Sequence, residues 1–207
     1  MEPLEQAGTM VRPVDRGRLA EAIREVLMAV GEDPDREGLR RTPQRVAEML
    51  EEVLAGYRMD SFTLINGAIF EAEDADLVLV RDIEFYSMCE HHMLPFFGRA
   101  HVAYLPDGRI IGLSKIPRIV DLFAHRLQVQ ERMTRQIADF LEALLHPRGV
   151  AVIVEAAHLC TMMRGVRKAQ ARMVTQAFTG LFRTQPELRR ELLAQLQPGL
   201  RPREEPL

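Results

Sequence analysis

Apolar positions along this chain change their period several times, and each change marks an element. From Asp15, which reads as an N-cap, Leu19, Ile23, Val26, Leu27 and Val30 fall at helical spacing until Gly31 stops the run. Asp33-Pro34-Asp35 reads as a turn. Thr42 then reads as a second N-cap with Pro43 at the first helical position. Val46, Met49, Leu50, Val53 and Leu54 line one face of that helix up to Gly56. Two amphipathic helices joined by a turn predict an antiparallel pair. Arg45 falls in the first turn of the second helix, where the helix dipole disfavours a cation. A solvated surface tolerates such a placement, and a nearby anion would favour it.

After a polar connection over residues 58–75 the period shortens. Residues 77–80 and 83–85 predict a strand leading into Cys89. Residues 99–105 predict another, with Pro106-Asp107-Gly108 as its turn and Ile110-Ile111 returning. Ser114 reads as the cap of a helix carrying Ile116, Ile119, Val120 and Phe123. A further helix places Val129, Met133, Ile137, Phe140, Leu141 and Leu144 on one face and ends near His146-Pro147. Residues 150–154 predict a strand running into His158 and Cys160, residues 172–178 a fourth strand, and residues 186–196 a terminal helix. The order of helix pairs and strand pairs predicts an α+β fold: an antiparallel four-stranded sheet with helices on one face, preceded by the N-terminal helix pair. The expected organisation is a leader and helix pair over 1–57, a connection over 58–75, the sheet-bearing domain over 76–185, and a C-terminal helix and tail over 186–207.

Composition narrows the picture further. A chain of 207 residues, 47% hydrophobic and 28% charged, suits one globular domain with a full core. No apolar run approaches the ~18 residues of a membrane span. Glu2 and Glu5 with no apolar stretch behind them argue against a secretory signal. A formal charge of −3 gives no reason to expect nucleic acid or a membrane surface as partner. Only two cysteines, each in a ligand-like cluster, favour a reducing compartment and hence a cytoplasmic location over a disulfide framework.

The chemistry concentrates in Cys89-Glu90-His91-His92 and in His158-Leu159-Cys160, which hold both thiols and half of the six histidines. Thiolate and imidazole are preferred ligands of Zn²⁺. Five candidate donors leave room for three ligands, an open position and spare imidazoles for proton transfer. The competing reading is two buried thiols with unrelated surface histidines. If His158 and Cys160 lie on an extended segment, their i, i+2 spacing aims both side chains one way. Lys115, Arg118, Arg164, Arg167 and Lys168 form the basic cluster an overall acidic chain would need for a polyanionic ligand. Gln130-Glu131 reads, from its composition, as the solvated start of a helix. His101, His125 and His146 lack ligand-like neighbours and read as packing or surface residues.

The run Ser87-Met88-Cys89-Glu90-His91-His92-Met93-Leu94-Pro95-Phe96 closely resembles GTP cyclohydrolase I. So do Gly112-Leu113-Ser114-Lys115-Ile116, Gln128-Val129-Gln130-Glu131-Arg132, and His158-Leu159-Cys160 followed by Arg164-Gly165-Val166-Arg167. The resemblance runs from about Leu77 to Phe182, with a weaker match through Thr42-Pro43-Gln44-Arg45. Ala169-Gln170-Ala171 departs from the Pro-Gly-Ser-like turn associated with many members, which bears on loop shape and not on the chemistry. The resemblance implies a tunnelling fold (T-fold), hydrolysis and rearrangement of GTP to 7,8-dihydroneopterin triphosphate and formate, and a dimer of pentamers with sites at subunit boundaries. It implies zinc ligands Cys89, His92 and Cys160, and an unligated acid–base pair His91 and His158 with Ser114 assisting. It also implies Gln130 and Glu131 at the guanine, and Lys115, Arg118, Arg164 and Arg45 along the ribose and triphosphate.

The implied chemistry is consistent with these residue types. Guanine C8 is a weak electrophile, and zinc brings the pKa of bound water to roughly 7, supplying a nucleophile at neutral pH. A carboxylate at Glu131 can accept from guanine N1–H and the 2-amino group, and would be left unpaired by adenine. No G-x-x-x-x-G-K-[ST] loop is present, so a nucleotide bound here is worked on at the base. Two other classes stand beside this reading. A metal-free T-fold enzyme would use Cys89 as nucleophile on a purine- or pterin-like substrate, and the pairing of His92 with Cys160 counts against it. A non-catalytic zinc-stapled interaction module would need four protein ligands and no open position.

Overall fold

The computed structural model describes residues 13–73 and 76–196. The start of the expected leader and the tail from Pro198 lie outside the described residues. Helix α1 (Arg16–Ala29) starts where predicted, with the Asp15 carboxylate accepting from the Arg18 N–H at 3.0 Å. Helix α2 (Thr42–Val53) begins one residue earlier than expected: Arg41 is its cap and Thr42 is already helical, with Pro43 in the first turn. The two helices pack on each other, and α1 buries none of its residues completely.

The expected connection contains elements of its own. A 3₁₀ turn (Ala55–Tyr57) leads to α3 (Ser61–Ile65), capped by Asp60 through the Phe62 and Thr63 N–H groups. Strand β1 (Ile69–Glu71) follows and pairs antiparallel with β4 (Arg109–Ile111). Ile110-Ile111 therefore returns to β1 and not to the strand before its turn.

The main sheet is built on four antiparallel neighbours in the order β2 (Val78–Cys89), β3 (Pro95–Leu105), β6 (Gly149–His158) and β7 (Met173–Phe178). The two predicted segments of the first strand are one strand, bulged between Val80 and Ile83, where Asp82 takes a φ of 59°. The four-stranded expectation needs one correction. After α4 (Lys115–Ala124) the chain runs beside the end of β2, and β5 (Leu127–Gln128) bonds to Met88 and Cys89 as a fifth, parallel strand. Helix α5 (Gln130–Leu145) then crosses the sheet and ends at His146, whose φ is 48°.

Helices do not cover one face only. Alternate strand residues (Ala100, Val102 and Tyr104; Val150, Val152 and Val154) join Ile119, Phe123, Ile137 and Leu141 of α4 and α5 in the main core. The intervening residues Ala103, Leu105, Ala151 and Ile153 face the other way. There Phe182 of α7 (Gly180–Thr184) and Leu192 of α8 (Pro186–Gln195) cover them. The reason is visible in their chemistry: both faces are apolar at that end of the sheet. Toward the other end the second face carries Glu84, Tyr86 and Glu155 and stays exposed. Among the described residues no helix is long and apolar enough to cross a membrane.

Candidate metal centre and active site

The site lies where β2 ends, β3 begins and β6 ends. Between β2 and β3 the chain makes one helix-like turn, with the Met93 N–H donating to the Cys89 carbonyl at 2.8 Å and the Cys89 N–H to Leu94 at 2.9 Å. A turn of that kind puts residues three apart on one side, which brings the buried Cys89 and exposed His92 together. Glu90 ion-pairs with Arg132 of α5, and its N–H donates to the Gln128 carbonyl at 3.0 Å, so the turn is tied to both β5 and α5. The Arg132 guanidinium holds the Glu90 carboxyl below its usual pKa.

Cys160 comes from the far side of the sheet. His158 is the last residue of β6, and Cys160 sits in α6 (Leu159–Met162). The extended i, i+2 geometry expected for the pair is replaced by a strand end followed by a helical turn. Because β6 pairs with β3, with Phe96 opposite His158, this turn reaches the Cys89 loop. Donor atoms of Cys89, His92 and Cys160 lie within 4.8 Å of one another. Zinc–ligand bonds of about 2.0–2.3 Å need donors roughly 3.5–4 Å apart, a spread that side-chain rotation can close. Burial, and then the adjacent Cys89, push the Cys160 thiol above its ordinary pKa. Two thiolates side by side repel, and a divalent cation between them reverses that balance. The donor set fits a zinc ion.

Two imidazoles stand beside the three donors. His91 Nδ1 is 4.0 Å from Cys89 Sγ and the ring is exposed. The His158 ring stacks flat on Phe96, with centroids 4.7 Å apart and an interplanar angle of 1°. Burial pushes the His158 pKa down, and the negative charge of Glu131 opposes it. Arg164 reaches the same place, its Nη1 lying 3.3 Å from His92 Nε2.

The Gln130-Glu131 pair is not a solvated helix start. Glu131 is exposed, but Gln130 is 1% exposed and its amide makes four contacts inside the protein. The basic cluster is also divided. Ser87 Oγ donates to the Ala124 carbonyl at 2.7 Å, so α4 ends beside the metal end of β2. Ser114 and Lys115 lie at its other end, about 15 Å away at 1.5 Å per residue. There Ser114 caps no N–H with its side chain, and the buried Lys115 donates Nζ–H to the Leu64 carbonyl at 2.8 Å. Arg118 lines a separate cleft of about 490 Å³ with Asp60, Thr63 and Asp121. Arg45 is exposed on the N-terminal helix pair. A single chain thus brings together Cys89, His91, His92, Gln130, Glu131, His158, Cys160 and Arg164, and holds Ser114, Lys115, Arg118 and Arg45 elsewhere.

Three further participants were not singled out from the sequence. Phe96 lies within the motif run, but an apolar residue after a proline reads as packing. Arg132 adjoins Gln130-Glu131 without a signal of its own. Thr175 occupies a strand position that nothing local distinguishes, and only the pairing of β7 with β6 brings it to Gln130.

A family model described as GTP cyclohydrolase I matches residues 19–197. Among curated relatives, the GTP cyclohydrolase 1 of Deinococcus radiodurans is 54% identical over 191 residues, covering 92% of this chain and 88% of that protein. The GTP cyclohydrolase 1 of Leptospira biflexa is 55% identical over 177 residues, covering 86% and 97%. That of Chlorobaculum tepidum is 55% identical over 177 residues, covering 86% and 79%.

Proposed function

The chain belongs to the GTP cyclohydrolase I family of T-fold enzymes, and from that premise we propose that it hydrolyses and rearranges GTP to 7,8-dihydroneopterin triphosphate and formate, the first step of tetrahydrofolate and pterin biosynthesis. The observation that carries the reading is the convergence of Cys89, His92 and Cys160 within 4.8 Å, with further imidazoles at His91 and His158.

Cys89, His92 and Cys160 would hold the zinc ion. When bound, zinc supplies a Lewis acid and activates water for attack near neutral pH. His91 and His158 stay unligated and move protons. Opening the imidazole ring of guanine requires a proton on nitrogen, and the later ribose rearrangement requires protons moved in both directions. Burial disfavours the charged ring of His158, which favours a resting imidazole able to accept. Glu131, in the first turn of α5, has its carboxylate stabilised by the helix dipole. It accepts from guanine N1–H and the 2-amino group. Arg164, next to His92, meets the phosphates.

Ser114, Lys115, Arg118 and Arg45 lie on other elements of their own chain. They serve the ribose and triphosphate of a neighbouring copy's site, in a homodecamer built as a dimer of pentamers. A site that needs Cys89 and Cys160 as thiolate ligands suits a reducing compartment, and we place the enzyme in the cytoplasm. The test is incubation of zinc-loaded protein with GTP and assay of formate and of the fluorescent oxidised pterin. Both products are expected from GTP and neither from ATP. Dialysis against a chelator should abolish the activity and zinc should restore it; no formate from zinc-loaded protein would overturn the reading.

A further inference from the structure

The buried Gln130 amide has one orientation that its surroundings allow. Its Nε2 lies 3.0 Å from the Val154 carbonyl, 3.0 Å from the Met173 carbonyl and 3.1 Å from Thr175 Oγ1. Carbonyl oxygens only accept, so the NH₂ group must face them and Oε1 must face the other way. Oε1 is 2.8 Å from His158 Nε2. An amide oxygen only accepts as well, so the ring nitrogen there carries a hydrogen.

The threonines close the same chain of directions. Thr134 Oγ1 is 2.7 Å from the Gln130 main-chain carbonyl, to which it can only donate. Its 2.7 Å bond with Thr175 Oγ1 is therefore donated by Thr175. Thr175 then has only lone pairs left for the Gln130 NH₂. The two NH₂ hydrogens are shared among three acceptors, none of which can donate back, so the direction of the bonds from Thr134 to His158 cannot reverse. All three partners of the amide nitrogen come from β6 and β7, so the packing of α5 on the sheet sets the polarity at the ring.

We infer that Gln130 is a positioning residue: held by Thr175 and two strand carbonyls, it fixes His158 as the Nε2–H tautomer and leaves Nδ1 to exchange protons with the substrate. Phe96 holds the plane of the ring, and Gln130 prevents its rotation within that plane. The inference rests on the acid–base role of His158 proposed above. It also separates the Gln130 side chain from guanine, because the amide is buried, with its nitrogen turned to the strands and its oxygen to His158.

The test is a comparison of Gln130→Met, Thr175→Val and His158→Ala in zinc-loaded enzyme. Gln130→Met is expected to lower kcat by about 10- to 100-fold, part of what general acid–base catalysis contributes, with zinc content and GTP Kd unchanged. Thr175→Val, close in shape, should lower kcat in the same sense by a smaller factor. In a His158→Ala background, Gln130→Met should cost nothing further, since its effect passes through the ring. Weakened GTP binding by Gln130→Met, or losses that multiply in the double variant, would overturn the inference. Nitrogen-15 histidine spectra supply a readout independent of turnover. The wild type should show His158 as Nε2–H with a slowly exchanging proton, and Gln130→Met should lose that protection. A His158 found as Nδ1–H overturns the assignment even if GTP is converted. The expected signal in a protein that releases no formate would instead defeat the proposed activity and leave the tautomer in place.

Discussion

Cys160 and His158 are two residues apart, yet one is a proposed ligand and the other a proton carrier, and metal content separates them. Cys160→Ser should arrive without zinc and without activity, because a neutral hydroxyl is a poor substitute for thiolate. His158→Ala should retain zinc and lose turnover by about 10²- to 10⁴-fold, the range for a removed acid–base group. Metal analysis of the two purified variants checks the assignment, and a metal-free His158→Ala would exchange the roles. At the other side of the site, Glu131→Gln should keep zinc and fold while kcat/KM for GTP falls by at least about 100-fold, since a charged carboxylate that accepts from two guanine donors gives way to an amide with one acceptor facing them. Near-normal kinetics would return Glu131 to an ordinary exposed helix residue.

At the scale of elements, the site depends on β3 and β6 lying unusually close. Gly98 makes this possible. A Cβ placed there would fall 1.9 Å from the Glu155 carbonyl oxygen and 2.7 Å from Ala156 Cα, both main-chain atoms that cannot rotate away. Gly98→Ala should therefore force the strands apart and destabilise the fold by at least about 1–3 kcal/mol, as overpacking does. Denaturant unfolding measures this directly. Because Phe96 and His158 face each other only two rungs along the same ladder, zinc affinity should weaken in the same variant. An unchanged unfolding midpoint would mean that the ladder can spread without cost.

At the scale of the whole molecule, Arg164 lies beside the proposed zinc donors, whereas Arg45 and Arg118, proposed for the triphosphate, lie on other elements of the chain. Among the described residues β7 has no strand partner on its outer side, and β2 pairs on its outer side only with the two-residue β5, so the main sheet ends in open edges. Open edges invite pairing with another copy. Arg45→Ala and Arg118→Ala should each be poorly active, as should Cys160→Ser. Co-expression of either arginine variant with Cys160→Ser should form mixed oligomers in which some sites join an intact zinc cluster to an intact arginine. Activity should then exceed the sum of the separate proteins. Mixed assemblies that form and regain nothing would place the arginines in their own chain's site or outside any site.

Local interactions made much of this protein legible in its sequence. Helices α1, α2, α4 and α5 follow from apolar spacing at i, i+3 and i+4, and the Asp15 cap from a carboxylate before the first turn, because these interactions are made between near neighbours. The donor types of Cys89, His92 and Cys160, and their grouping in two short runs, were visible for the same reason. What remained hidden depends on segments far apart in the chain. The pairing of β1 with β4, the parallel β5 and the second apolar face under α7 and α8 are choices among partners that local periodicity does not rank. Gln130 looks like any polar residue at a helix start until β6 and β7 surround its amide with acceptors. Lys115 and Arg164 look like one basic patch until the length of α4 separates them. Residue type is written locally and sets what chemistry is available; which groups share a site is decided by long-range packing, which the tertiary structure alone determines.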